Sequence, residues 1–239
     1  VQVSQASQRE FVANVSHELK TPLTSIQGFA QAILDGTAST PEAREQAAQV
    51  IYNESGRMHR LALDLLDLAR LDAGTADLKM SPLDLSILLN SVVEKFAPLA
   101  ARAGVTISLE ADVLPSVAGD GDRLAQVFTN LLDNALKFTL TGGEVTIIAR
   151  QVGAELEVEV RDTGVGISQD ALQHIFDRFY QEDPSRAHHG AGLGLAIARE
   201  IVTAHGGKIS VQSQLGQGTA ISVRLPLTKE NSFTGSTRK

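Results

Sequence analysis

Between Phe11 and Leu71 the apolar residues return every three or four positions, and no other feature constrains the fold of this chain as tightly. Phe11, Val15, Leu19, Pro22, Ile26, Phe29 and Ile33 mark one stripe; Ala47, Val50, Ile51, Met58, Leu61, Leu65, Leu68 and Leu71 mark a second. That repeat belongs to helices packing in a bundle. The first helix is expected to run to about Asp35, where Gly36 and the stretch from Thr37 to Pro41 break it; Thr40, Pro41 and Glu42 then supply a cap, a first-turn proline and an acid for a new start. The second helix is expected to end near Ala73-Gly74. An antiparallel hairpin of this kind buries one face of each helix, so residues 1–74 are expected to pair with a second copy as a dimeric four-helix bundle.

One residue in the first helix stands off the stripe. His17 is two positions from both Val15 and Leu19, which turns its side chain to the opposite, watery side. Thr21 lies one turn further on that face and Glu18 is adjacent. Most exposed helical histidines are solvated side chains without a task. Here, however, Pro22 withdraws the amide that would bind the carbonyl of Glu18, placing a local bend one turn from the imidazole. An exposed imidazole flanked by a carboxylate and a hydroxyl is a candidate nucleophile with helpers.

Thr75 to Ser81 reads as a linker, and beyond Pro82 the periodicity changes. Asp84 caps a helix to Arg102, and a second helix spans Asp120 to Phe138. Alternation marks strands at Val105–Leu109, Glu144–Arg150, Glu155–Arg161, Lys208–Ser213 and Thr219–Leu225, with a helix from about Leu193 to His205 before the last two. The expectation is one sheet with helices on one face, an α/β sandwich over residues 82–228, followed by a polar, disordered tail at 229–239. A hydrophobic share of 43% and a formal net charge of −7 fit a globular chain and argue against nucleic acid as a partner. Without cysteine there is neither a disulfide framework nor a thiolate metal site, and no apolar run is long enough to cross a bilayer. The first residue is Val, so a membrane segment or sensing module would lie outside this sequence.

Four segments of the second part carry chemistry. Asn130, Asn134 and Lys137 share a helical face suited to Mg²⁺ and a triphosphate: amide oxygens for a hard cation, an ammonium for phosphate. Chance polar residues on a solvated face would look the same. Asp162, Gly164 and Gly166 directly follow a strand, where glycines admit a ligand and the carboxylate can accept from an exocyclic amine such as that of adenine; a plain turn before a helix is the alternative. Gly190, Gly192, Leu193 and Gly194 form a glycine-rich entry to a helix, a phosphate-binding arrangement that is neither a Walker loop nor a dinucleotide fingerprint. Gly216-Gln217-Gly218-Thr219 is a turn before a strand. His188 and His189 read as loop residues without metal partners, and His205 as a charge at a helix C-terminus beside Gly206-Gly207.

In this order the segments resemble the catalytic core of two-component sensor histidine kinases. Ser16 to Leu23 is similar to the phosphoacceptor box, Asn130 to Thr139 to the N box, Asp162 to Gly166 to the first glycine box, and Ile175 to Phe179 to the phenylalanine box. Gly190 to Leu195 and Gly216 to Thr219 resemble the remaining glycine boxes, so the likeness covers nearly all of residues 5–227. Phe138 stands where Tyr is often found, and Ala220-Ile221 replaces a Phe-containing strand start. The resemblance implies an ATP-binding sandwich of the gyrase, chaperone and histidine kinase type, with Asp162 reading adenine, Asn134 and Asn130 holding Mg²⁺, and Lys137 and Arg178 near phosphate. Phe138 and Thr219 join the expected nucleotide set. It further implies transfer of the γ-phosphoryl group of ATP to His17, with Glu18 holding the other ring nitrogen and Thr21 serving removal of phosphate from the partner. That partner is the receiver domain of a response regulator. The expected location is the cytoplasm, as a cytoplasmic protein or the cytoplasmic part of a membrane-bound sensor. A chaperone-like ATPase would need a general-base glutamate in the N box, where Gln126 and Asn130 stand instead. A scaffold with decayed boxes is the other rival, and the intact boxes argue against it.

Overall fold

The structure is a computed structural model that describes residues 5–73, 77–182 and 191–227, with side chains described at residue 9 and from residue 11 onward within them. Two compact units make it up: Val1–Thr75 with Ile175–Ile197, and Ala76–His174 with Ala198–Lys239.

In the first unit α1 (Gln5–Leu34) and α2 (Pro41–Asp72) form the expected antiparallel pair. Thr40 caps α2, its Oγ1 accepting from the amide of Ala43 at 3.1 Å, and Arg44 Nε donates back to the carbonyl of Ala38 at 3.1 Å, closing the connection. The inward stripe of α2 carries buried Ala47, Leu61 and Leu68, and α1 contributes a buried Pro22. The proline inside α1 is thus also a packing residue. Phe29, placed on the apolar stripe by its spacing, is exposed, because this pair is too thin to cover both sides of each helix.

The second unit begins with β1 (Ser81–Leu83), so Ser81 and Pro82 belong to a strand; β1 pairs antiparallel with β3 (Val117–Gly119) in a two-stranded sheet that the apolar pattern did not suggest. Between them lie α3 (Leu85–Ala103), capped by Asp84, and β2 (Thr106–Ala111). Then come α4 (Gly121–Phe138), β4 (Glu144–Val152), β5 (Glu155–Asp162), the single turn α5 (Gln169–Leu172), α6 (Gly194–Ala204), β6 (Lys208–Gln214) and β7 (Gly218–Pro226). The main sheet has the order β2-β4-β5-β7-β6, with β2 and β4 parallel and every other pair antiparallel.

The core follows the two periodicities. Leu88, Leu89, Val92 and Phe96 of α3 and Leu124, Val127, Phe128 and Leu131 of α4 are buried at helical spacing, while Val145, Ile147 and Ala149 and then Ile221, Val223 and Leu225 are buried at alternate positions. The other face of the sheet is polar and pinned by an ion triad. Arg150, Glu157 and Arg224 are directly opposite one another on β4, β5 and β7. Glu157 accepts from Arg150 Nη2 at 2.6 Å and from Arg224 Nε at 2.7 Å. The Arg150 hydrogen bond, reinforced by Arg224 and opposed by burial, holds the Glu157 carboxyl below the usual carboxylate range. A one-residue slip would break all of these pairings at once.

His205 is a correction to the reading from sequence. It is buried, with Nδ1 donating to the carbonyl of Ile201 at 2.8 Å and Nε2 accepting from the amide of Asp120 at 3.0 Å. A ring nitrogen that accepts from an amide carries no proton, so His205 serves as a neutral strut and not as a helix-end charge. Asp120 in turn caps α4 through Arg123 N and accepts from Lys79 N at 2.9 Å. Burial pushes its carboxyl up, but the amides of Lys79, Arg123 and Asp122 outweigh that and hold it low. The strut and cap together fix where α4, and with it Asn130 and Asn134, begins.

Candidate phosphoacceptor and nucleotide sites

On α1, His17 is exposed and no described residue hydrogen-bonds its ring. Thr21 Oγ1 donates to the carbonyl of His17 at 3.4 Å, and Ser16 Oγ to that of Val12 at 2.8 Å, so both hydroxyls are tied to the helix backbone. Glu18 does not reach the imidazole. Its Oε2 accepts from Arg57 Nη2 of α2 at 3.0 Å. Arg57 is the neighbour that sequence reasoning missed; charged residues on the largely apolar stripe of α2, Glu54 and Arg57 one turn apart, were the available signal.

In the second unit, Asp162 ends β5 with only 8% of its surface exposed. Its Oδ1 accepts from the amides of Gly164 at 2.8 Å and Thr219 at 3.3 Å, leaving Oδ2 for a further donor. Burial pushes this carboxyl up, and the two amides oppose that shift. The loop after it is held from two sides. Val165 N donates to the carbonyl of Phe138 at 3.2 Å, and Ile167 N to Ser213 Oγ at 2.9 Å, while Ser213 Oγ meets Thr219 Oγ1 at 2.9 Å. Gly164 is required here: a Cβ would stand 2.3 Å from the carbonyl oxygen of Phe138 and 2.8 Å from Asp162 Oδ1. Gly166, at φ 70°, would place a Cβ 2.1 Å from the carbonyl of Gln214. The last turn of α4, the Asp162 loop and the β6–β7 turn are therefore one assembly, which brings Phe138, Asp162, Gly164, Gly166 and Thr219 together.

Asn130 and Asn134 lie half-buried one turn apart on α4, and the side chain of Asn134 has no hydrogen bond among the described residues. Lys137 Nζ binds Asp133 Oδ2 at 2.5 Å. No group of three or more His, Asp or Glu able to hold a metal occurs among the described residues. One or two amide oxygens without a carboxylate cage fit Mg²⁺, which keeps several waters and shares its ligands with phosphates.

The remaining predicted residues fall in the segment grouped with the helical pair. Phe179 N donates to the carbonyl of Gly192 at 3.0 Å; Gly192 has φ 69° and a Cβ there would clash with the carbonyl of Tyr180 at 2.7 Å. Leu193 is buried and Gly194 opens α6. Arg178, expected near phosphate, instead binds the carboxylate of Asp72 and lies 6.0 Å from the ring centre of Phe11, which itself packs against Phe179 at 5.6 Å. Gly190, His188 and His189 lie outside the described residues.

A histidine-bearing helical pair followed by a sandwich with a buried aspartate and glycine-shaped loop defines a class, and the comparisons agree with it: the chain belongs to the sensor histidine kinase family. Residues 7–74 match the His Kinase A (phospho-acceptor) domain, and residues 119–229 the histidine kinase-, DNA gyrase B- and HSP90-like ATPase. Sensor protein SrrB of Staphylococcus aureus (strain N315) is 37% identical over 220 residues, 91% of this chain and 38% of that protein. The chain thus spans well under half the length of the SrrB relatives it matches. Among solved structures, the Acinetobacter baumannii histidine kinase AdeS superposes with a TM-score of 0.76 at 25% identity, covering 89% of this chain and 98% of that one. The histidine kinase ThkA, solved in complex with response regulator protein TrrA, gives 0.73 at 25% identity over 92% of this chain and 61% of that one.

Proposed function

We propose that this chain is the kinase core of a two-component sensor, which phosphorylates itself on His17 from ATP and hands the phosphoryl group to an aspartate of a response-regulator receiver. The observation that carries the reading is the exposed imidazole of His17, without a hydrogen-bond partner among the described residues, on a helix that matches the phospho-acceptor domain, in the same chain as the shaped aspartate loop. The solved complex of ThkA with TrrA supports the choice of partner.

Asp162 Oδ2 accepts from the exocyclic amine of adenine, and Gly164 and Gly166 let the base approach the backbone. Asn134, helped by Asn130, holds Mg²⁺, which when bound neutralises charge on the phosphates. Lys137 turns from Asp133 towards phosphate, and Gly190, Gly192, Leu193 and Gly194 offer amides at the start of α6. Arg178 joins the phosphates only after leaving Asp72. Neutral His17 attacks through Nε2: the N–P bond forms as the bond to the bridging oxygen breaks, ADP leaves, and the Nδ1 proton passes to Glu18 or water. Positioning and charge carry the step. Thr21 serves dephosphorylation of the regulator by placing a water. Residues 1–74 dimerise, the stretch up to residue 80 links, and the part beyond it binds nucleotide; the tail expected at 229–239 lies outside the described residues. Among the described residues no helix is long and apolar enough to cross a membrane, and we place the chain in the cytoplasm, as a whole protein or as part of a membrane-bound sensor.

Incubation with γ-labelled ATP tests the reading. The expected product is an acid-labile, base-stable label that His17→Gln abolishes. Release of free phosphate without protein label would favour a chaperone-like ATPase, and label persisting in His17→Gln would remove His17 from the role.

A further inference from the structure

We infer that Arg57 is a positioning residue that governs His17 by holding Glu18 away from it, and that Glu54 is the competing carboxylate that sets how firmly. This rests on the proposed role of His17. Arg57 Nη2 lies 3.0 Å from Glu18 Oε2, whereas Nη1 lies 3.9 Å from Glu54 Oε2. The first is a charge-assisted hydrogen bond; the second is too long to be one. Glu54 Oε2 is nevertheless buried and has no hydrogen-bond partner among the described residues. A buried carboxylate oxygen left unpaired is costly, and Arg57 is the cation placed to relieve it. Closing that gap takes a movement of about 1 Å of the guanidinium to normal hydrogen-bond length.

One cation therefore stands between two carboxylates on adjacent helices. While its Nη2 holds Oε2 at 3.0 Å, Glu18 is drawn towards α2 and makes no hydrogen bond to His17 among the described residues. When the cation moves onto Glu54, the buried orphan is satisfied and Glu18 is released to the neighbouring imidazole, where it fixes the tautomer and stabilises the cationic ring. The other charged or titratable groups around this level are Lys20 on α1 and His59 and Arg60 on α2; Arg178, from the 175–197 segment, is engaged with Asp72. Lys20, His59 and Arg60 are exposed, whereas the Glu18–Arg57–Glu54 cluster is mostly shielded, so its contacts are the less screened ones.

The test is an NMR titration of the His17 ring in the full chain labelled on its histidine nitrogens, assigned with His17→Gln and run without nucleotide. Arg57→Gln is expected to raise the His17 midpoint by about half a pH unit or more as Glu18 becomes available. Glu54→Gln is expected to lower it, because Arg57 then has Glu18 alone. In the Glu18→Gln background, Arg57→Gln is expected to leave the midpoint within error, which separates release of Glu18 from the simple loss of a nearby positive charge. A shift that persists in that background, an unchanged midpoint in Arg57→Gln, or a rise in Glu54→Gln would overturn the inference. Should Arg57→Gln unfold, the Glu54→Gln result decides alone. Since no ATP is present, these outcomes are independent of whether His17 accepts phosphate.

Discussion

The helical pair and the sheet unit solve the same burial problem with unequal success. In the sheet unit, Phe128, Leu131, Ile147, Leu156 and Ile201 are all sealed, and Glu157, one of its buried acids, is clamped by two arginines. In the helical pair, the seam carries Glu54, Arg57 and Asp64 among its apolar residues, while Leu34, Tyr52, Leu63 and Leu66 stand 81%, 76%, 50% and 48% exposed. A single copy thus hides little of its apolar surface and keeps charges where leucines would pack better. The contrast teaches where each part gets its stability. The nucleotide unit is held by its own core, which suits a site that must be preformed; the helical pair is unfinished, which suits an element that pairs with a copy of itself and moves between states.

Asn134→Ala should abolish Mg²⁺-dependent ATP binding in calorimetry while leaving the fold intact; unchanged affinity would move the metal site elsewhere. Asp162→Asn should weaken ATP about 10- to 100-fold, the worth of one hydrogen bond to a charged group, and the same titration reads it. Gly164→Ala should destabilise the sheet unit by about 2 kcal/mol in denaturant melts, because the added methyl meets the carbonyl of Phe138 at 2.3 Å. On the helical side, Leu66→Glu should turn a dimer into a monomer in light scattering without altering ATP affinity; a wild-type chain that is already a stable monomer would erase the contrast.

The smallest expected effect concerns Asp64. Burial, helped by Asp67 and opposed by Arg60, pushes its carboxyl from the ordinary 3.8 up to about 6. The folded pair therefore keeps that proton longer than the unfolded chain does. The contribution of this carboxyl to the stability of the pair is fully present below pH 4, is lost as pH rises through about 6 and stays absent above. Asp64→Asn should accordingly raise α2 amide protection at pH 8 and change it little at pH 4, as hydrogen exchange would show.

Repeats and loops were legible in the sequence to different depths. The helical stripes, the Asp84 and Thr40 caps, the β4–β5 hairpin and the Asp162 loop follow local rules, so spacing and turn chemistry revealed them. The β1–β3 sheet was not visible because each strand is three residues long, too short for alternation to register. His205 was misread since its role depends on an amide 85 positions away. Glu18 was assigned to the imidazole beside it, whereas its partner Arg57 is 39 positions off and is set by the helix pairing. Long-range polar contacts leave no periodic trace, and those are the ones that tune a site.

The proposed reaction puts the γ-phosphoryl group of ATP on His17. Peptide mapping of the chain after reaction with γ-labelled ATP tests it directly. One phosphoramidate is expected, on the peptide containing His17, formed with one ADP released per phosphate bound. Phosphate on any other residue, or ADP formed with no modified peptide, would contradict it.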